Sequence, residues 1–175
     1  MQRADDDEFT AFVERHSRFV FRVAYAVLRN SHDAEDAAQE MFFRLYRKGG
    51  WRDLDDEKAF LARSAWRIAV DRLRQRQPAE DEADMTEFLA TSPSPEQAAI
   101  DGNMRTLVQE LVDRLPEQLR QPLALSAIEE MNSKQIAAAM AIPEGTVRTR
   151  LMRARELLRE KLTTMEAKGH VRQRS

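Results

Sequence analysis

Apolar residues recur at three- and four-residue steps over long stretches of the chain, and the breaks between those stretches mark its elements. Phe9, Phe12, Val13, Phe19, Val20, Val23, Ala24 and Val27 fall at helical spacing and predict a helix from Phe9 to Leu28 with a broad buried face. Asn30-Ser31 interrupts it. Ser31 is expected to cap a second helix, Asp33 to Lys48, with Asp33 and Glu35 in its first turn and Gly49-Gly50 as its stop. A polar stretch, "GGWRDLDDE", leads to a third helix from Glu57 to Gln77, which Pro78 closes.

The pattern then lapses. Pro78 to Pro95, "PAEDEADMTEFLATSPSP", is acidic and then Ser/Pro-rich, and reads as a linker with at most a short helix from Met85 to Leu89. Ser94-Pro95-Glu96-Gln97 restarts helical structure with a serine cap, a first-turn proline and a glutamine three residues after the cap. That helix is expected to reach Arg114. A second begins at Leu115-Pro116-Glu117 and reaches Glu130, with Pro122 expected to kink it unless it falls near the start. Asn132-Ser133 caps a short helix, "KQIAAAMA", and Ile142-Pro143 opens the last. No strand-like alternation and no repeat is present. The expected fold is all-α: two small helical domains, residues 1–77 and 96–165, joined by a flexible linker, 78–95, and followed by a basic tail, 166–175, expected to fray.

The last helix, "IPEGTVRTRLMRARELLREKL", sorts by face. Val147, Leu151, Ala154, Leu158 and Leu162 form an apolar stripe, while Arg148, Thr149, Met152, Arg153 and Arg155 point elsewhere. Six basic residues (Arg148, Arg150, Arg153, Arg155, Arg159 and Lys161) outnumber three acids (Glu144, Glu156 and Glu160) in this segment. The preceding short helix offers Ile136, Ala137 and Met140 to the same core. A short helix, a tight turn and a longer basic helix make a helix-turn-helix, whose second helix enters the DNA major groove led by its N-terminal residues. Pro143 suits the first helical turn, and Gly145 leaves room for a neighbour or a phosphate at the helix start. A solvated basic face on an ordinary bundle helix is the plainer reading of an arginine run, but here the capped helix, the turn and the Pro-x-Gly-Thr-Val start agree on DNA.

In the third helix Arg63, Arg67, Arg72, Arg74 and Arg76 surround Trp66, with Trp51 in the loop before it. Cations that track phosphates, interleaved with rings that stack on bases, suit single-stranded DNA. Trp66 reads equally as core; Trp51 reads more readily as a stacking platform. In the second helix Ala34, Ala37, Ala38, Met41, Phe42 and Leu45 make the apolar face. Phe43 beside Phe42 cannot point into the same core, so it either widens a buried stripe or faces a partner.

Composition narrows the field. The chain has 28 Lys+Arg against 30 Asp+Glu, so any nucleic-acid signal is local rather than global. It has no cysteine, which excludes disulfides, thiolate metal sites and a Cys nucleophile. The acids of "DAEDAAQE" lack a Glu-x-x-His spacing, so no metal site is expected there. His16, His32 and His170 are scattered, and no Ser/His/Asp arrangement or Gly-rich phosphate loop suggests an enzyme or a cofactor. No apolar run is long enough to span a membrane, and the acidic start "MQRADDDEF" lacks a signal-peptide core, so the expected location is the cytoplasm.

Three segments together resemble the extracytoplasmic-function (ECF, group 4) sigma factors of the sigma-70 family. "LPEQLRQPLALSAIEEMNSKQIAAAMAIPEGTVRTRLMRARELLREKL" is similar to the family's fourth conserved region, "DAEDAAQEMFFRLYRK" to its polymerase-binding segment and "FLARSAWRIAVDRLRQR" to its promoter-melting helix. The resemblance covers most of the chain, and the order and spacing of all three segments carry it. It implies a non-enzymatic subunit that binds core RNA polymerase and promoter DNA, opens the duplex and is controlled by an anti-sigma factor. Arg148, Thr149, Met152 and Arg153 would contact the −35 element. Trp51, Arg63, Trp66, Arg67 and Arg74 would serve the −10 element, with the loop Gly49 to Asp56 receiving an unstacked base. Asp36, Gln39, Glu40 and Phe43 would face the polymerase, and the linker would thread toward the RNA path. The chain departs from the family pattern in carrying Arg67 where an asparagine is usual and in lacking a glycine at Glu130-Met131-Asn132. The rival readings are a stand-alone helix-turn-helix regulator, whose first domain dimerises or binds a signal, and an all-helical interaction protein with no DNA role.

Overall fold

The structure is a computed structural model that describes residues 2–76, 104–128 and 131–172. Among these residues it has seven α-helices and no strand: α1 (Gln2–Leu28), α2 (Ser31–Lys48), α3 (Glu57–Arg76), α4 (Met104–Arg114), α5 (Glu117–Ala127), α6 (Ser133–Met140) and α7 (Glu144–Arg172). One 3₁₀ turn, Trp51–Asp53, lies between α2 and α3. The linker with its acidic cluster, the Met85–Leu89 segment and the Ser94–Gln97 helix start lie outside the described residues.

Local chemistry sets the helix ends. Asn30, rather than Ser31, caps α2: its side-chain oxygen accepts the Asp33 N–H at 3.0 Å, so the helix starts two residues earlier than expected. At the other end Gly49 (φ 73°) and Gly50 (φ 76°) take positive φ, and the Gly49 N–H donates to the carbonyls of Leu45 and Tyr46. Asp56 starts α3 by accepting the Ala59 N–H on its side chain, at 3.0 Å. Asn132 and Gln135 form a reciprocal capping box at α6, each side chain accepting the other's backbone N–H at 2.9 Å. Ala141 then turns the chain in the left-handed region (φ 55°, ψ 44°), and the Ile142 N–H reaches back to the Ala137 carbonyl. α5 runs past the buried Pro122 to Ala127, and α7 extends into the segment expected to fray, as far as Arg172.

The described residues fall into two packing units, divided after Leu123 and after Glu144. In the first, α1, α2 and α3 pack on one another. Phe12, Phe19, Val20, Val23 and Val27 of α1 are buried together with Ala34, Ala37, Met41, Phe42 and Leu45 of α2 and Leu61, Ala62, Ala65 and Ala69 of α3. The alanines on α2 and α3 let the helix axes approach closely where the large α1 side chains fill the remaining space. α6 belongs to the same unit and lies against α3.

The second unit has a core of Leu115, Leu119, Ala154 and Leu157, with Leu123 and Leu158 packed against it. The stripe expected on α7 holds at Val147, Leu151 and Ala154, and at Leu158 as a flanking contact, but it leaves out Leu157 and Lys161. Leu157 and Lys161 are buried, while Leu158 and Leu162 are half-buried. At 3.6 residues per turn Leu158 falls between Val147 and Leu151 and Leu162 lies farther round toward solvent, while Leu157 and Lys161 extend the buried face on the other side. Leu157→Ala should accordingly cost roughly 2–5 kcal/mol and Leu162→Ala distinctly less. Urea unfolding of the two variants checks this, and the reverse order would contradict the packing described.

Candidate nucleic-acid interface

On α7 the four residues expected to meet base edges form one exposed patch. Arg148, Thr149, Met152 and Arg153 all lie on the surface, and Met152 is 56% exposed although apolar. Their positions, i, i+1, i+4 and i+5, place them on one face of the first turns. The Thr149 hydroxyl donates back to the Gly145 carbonyl at 2.9 Å, which leaves its oxygen lone pairs as acceptors. Arg153 lies 3.8 Å from Glu156, an exposed and therefore weak pairing. A Cβ placed on Gly145 would meet nothing within 4 Å, so internal packing does not demand the glycine. Lys161 does not belong to this basic surface. It is 5% exposed, and burial pushes its ammonium pKa below the ordinary value, helped by the nearby charges of Lys168 and Arg114.

The first unit carries a cleft of about 450 Å³ between α2 and α3. Met41, Leu45, Phe60 and Ile68 supply its apolar lining, and Arg44, Lys48, Arg63 and Arg67 its cations. Arg63 and Arg67 were legible as −10 candidates, and their one-turn spacing brings them to the same opening. Arg44 and Lys48 were missed, although their own four-residue spacing on α2 was the available signal. Arg67, in place of the usual asparagine, thus lines a cleft rich in cations. Arg74 is exposed but does not line it.

Two expectations for the aromatic rings change. Trp66 is 7% exposed and belongs to the core; of its two open readings the structural one holds, and the ring is no base-stacking surface. Trp51 is half-buried. Its ring centroid lies 5.3 Å from those of Phe9 and Phe12, and the Arg52 guanidinium sits over it at 4.4 Å. The tryptophan wedges its loop onto α1 rather than standing free as a platform.

The arginines at the end of α3 are also committed. Arg76 grips Asp33 through both guanidinium nitrogens, and this pairing accounts for an aspartate that is 7% exposed. Arg72 donates to Glu40 at 2.6 Å through one nitrogen and at 2.9 Å through another, and lies 4.0 Å from Asp36. Glu40 also pairs with Arg44. Of the four residues expected to face the polymerase, Asp36 and Glu40 therefore turn toward α3. Gln39 and Phe43 lie on the outer surface of α2, one turn apart. Phe43 is 60% exposed, with Arg47 over its ring, which excludes the wide buried stripe.

Comparison with known proteins identifies both halves. Residues 12–79 match the family model "Sigma-70 region 2", and residues 105–158 match "Sigma-70, region 4". The chain is 30% identical over 173 residues to the ECF RNA polymerase sigma factor SigW of Bacillus subtilis, covering 93% of this chain and 92% of the relative. The chain belongs to the extracytoplasmic-function sigma factors. Other relatives include SigE of Mycolicibacterium smegmatis, 33% identical over 86% of this chain and 60% of the relative, and the RNA polymerase sigma-H factor of Pseudomonas aeruginosa, 31% identical over 90% and 88%. Among solved structures, RpoE of Bartonella quintana, determined with the anti-sigma factor NepR, aligns with a TM-score of 0.63 at 17% identity over 89% of this chain and 97% of that one. CnrH, determined with the cytosolic domain of CnrY, aligns with a TM-score of 0.58 at 23% identity over 94% and 90%. As a sigma factor the chain acts in promoter recognition and transcription initiation.

The ion pairs between α2 and α3 give a pH signature within the sigma region 2 helices. The hydrogen bond from Arg72 holds the Glu40 carboxyl below its ordinary value of 4.5, with Arg44 adding to the effect against the opposing cost of burial. A lowered folded pKa stabilises the fold above the unfolded value and loses that contribution as pH falls through the folded one. Glu40→Gln should therefore destabilise the protein at neutral pH. The gap between variant and wild type should narrow progressively below pH 4.5. Thermal unfolding across pH reads this directly; a gap independent of pH would show that the charge is irrelevant.

Proposed function

We propose that this ECF sigma factor works without catalytic chemistry of its own, in the cytoplasm, as the subunit that lends core RNA polymerase its promoter specificity. In this reading residues 1–77 serve the −10 element and the polymerase, 78–95 tether, and 96–165 serve the −35 element, with 166–175 as a tail. No helix among the described residues is long and apolar enough to cross a membrane, which suits that location. By analogy with the structural neighbours solved with anti-sigma partners, an anti-sigma factor is the proposed regulator.

The observation that carries the reading is the exposed row Arg148, Thr149, Met152 and Arg153 at the start of a helix that follows a capped helix and a tight turn. Arginine forks match guanine O6 and N7 in the major groove, and Met152 offers an apolar contact to a thymine methyl. In the first unit the cleft has the two properties that an unstacked nucleotide requires. Its apolar lining accepts a base, and Arg44, Lys48, Arg63 and Arg67 lie where phosphates would be neutralised. The loop Gly49 to Asp56 is proposed to read one −10 base. Gln39 and Phe43, exposed on α2, are proposed to bind the polymerase, with Asp36 and Glu40 acting through α3 rather than by direct contact.

Arg148→Ala or Arg153→Ala should cost roughly 1–3 kcal/mol at the contacted base pair and relax discrimination there. Arg159→Ala, farther along α7, should weaken binding evenly across sequences. The assay is transcription by reconstituted enzyme from promoters varied singly through the −35 element. If Arg148→Ala and Arg159→Ala erode selectivity alike, the base-contact assignment fails. Phe43→Ala in the same assay should reduce output on every promoter equally and be overcome by excess variant. Altered promoter choice would instead place Phe43 on DNA.

A further inference from the structure

The loop between α2 and α3 is joined to α2 by Gly49 and Gly50, both at positive φ, and a Cβ on either would meet nothing within 4 Å. This joint does not itself dictate where the loop lies. The loop's side-chain anchors come from the first turns of α1. Arg52 donates to Asp5 and to Glu8, each at 2.8 Å, and its guanidinium covers Trp51. Trp51 in turn meets Phe9 and Phe12, and the Tyr46 hydroxyl, just before the glycines, donates to Asp6 at 2.6 Å. Asp5 and Phe9 lie four residues apart, as do Glu8 and Phe12, so one side of α1 presents two carboxylates and then two rings to the loop.

We propose that Asp5 and Glu8 are positioning residues for −10 recognition: by clamping Arg52 they fix Trp51 on α1 and so set where the loop Gly49 to Asp56 presents itself to a base. This rests on the reading that the loop receives an unstacked base. It gives the acidic start of the chain a role in promoter choice, although acids so placed would repel DNA phosphates if they touched them. Arg52 belongs to the clamp rather than to the DNA-contacting set, because two carboxylates and the Trp51 ring already engage its guanidinium. The ion pairs are exposed, so the clamp biases the loop rather than locking it, and its effect is modest and salt-sensitive.

The test uses full-length protein with core polymerase on promoters varied at each −10 position, with −35 variants alongside. The Asp5→Asn, Glu8→Gln double variant should flatten the base preference at the loop-read position by about two- to fivefold, the range that exposed pairs allow. Discrimination at −35 and affinity for core enzyme should stay unchanged. Arg52→Glu should do the same, and adding Asp5→Lys and Glu8→Lys to it should recover part of the preference. Asp55→Ala, in the loop itself, is the control. If it changes −10 preference while the Asp5/Glu8 variant leaves it intact, the clamp is overturned and the loop reading stands. If neither variant changes it, both fall. Equal loss on all promoters, tracking lowered thermal stability, would also overturn the proposal, since a merely structural role predicts that result. Acrylamide quenching of Trp51, read in a Trp66→Phe background, should rise in the Asp5/Glu8 variant; unchanged quenching counts against the clamp.

Discussion

The pairing of Asp33 with Arg76 sets the register on which the first unit depends. Asp33 is all but withdrawn from water, and a buried carboxylate that loses its partner costs roughly 3–5 kcal/mol. Two turns along α2 and one turn back along α3, Arg72 takes Glu40, donating to it through two guanidinium nitrogens. Two such pairs fix an antiparallel alignment of α2 and α3 that apolar contacts alone would define less sharply, because small alanines on both helices allow sliding. With that alignment Met41 and Leu45 face Phe60 and Ile68, and Arg63 and Arg67 reach the opening that Arg44 and Lys48 also line. The cleft is thus a consequence of charge pairing at the far end of the same two helices.

The same pairs divide the basic residues of α3 by role. A sequence shows five arginines on this helix and no way to rank them. The fold uses Arg72 and Arg76 against α2 acids and leaves Arg63, Arg67 and Arg74 exposed. Acids that look like a polymerase-facing patch are, in part, the other half of these pairs. Of the four residues in that patch, Gln39 and Phe43 remain outward, the pair proposed above to meet the polymerase.

Element existence was legible throughout the described residues because helical periodicity is long and regular here, and the caps carry recognisable chemistry. Errors came where a local rule met a tertiary one. Asn30, with extended backbone, takes the cap one position ahead of Ser31, and both residue types suit that role by sequence alone. The α7 stripe left out Leu157 and Lys161 because a lysine at position 161 hides that side of the buried face from any reading based on polarity; its long aliphatic stem allows it there. The exposed row of α7 was fully legible, since it depends only on the first three turns. The surroundings of Trp51 were not, because Phe9 and Phe12 lie some forty residues away and nothing in the loop announces them. Likewise Trp66, among arginines in sequence, lies on the inner face in space.

The two surfaces proposed to face DNA, an α7 row and an α2–α3 cleft, are each small, and specificity by either alone would be slight. The account therefore requires the polymerase to hold both in place on one promoter and to offset the cost of opening the duplex. The most direct measurement is titration of a fluorescently labelled promoter fragment with the chain, alone and with core RNA polymerase, across salt concentrations. The account predicts weak binding by the free chain with a steep salt dependence and little sequence preference, and sequence-specific binding together with strand opening once core enzyme is added. Tight, sequence-specific duplex binding by the chain alone, unchanged by core enzyme, would contradict it and mark a stand-alone regulator.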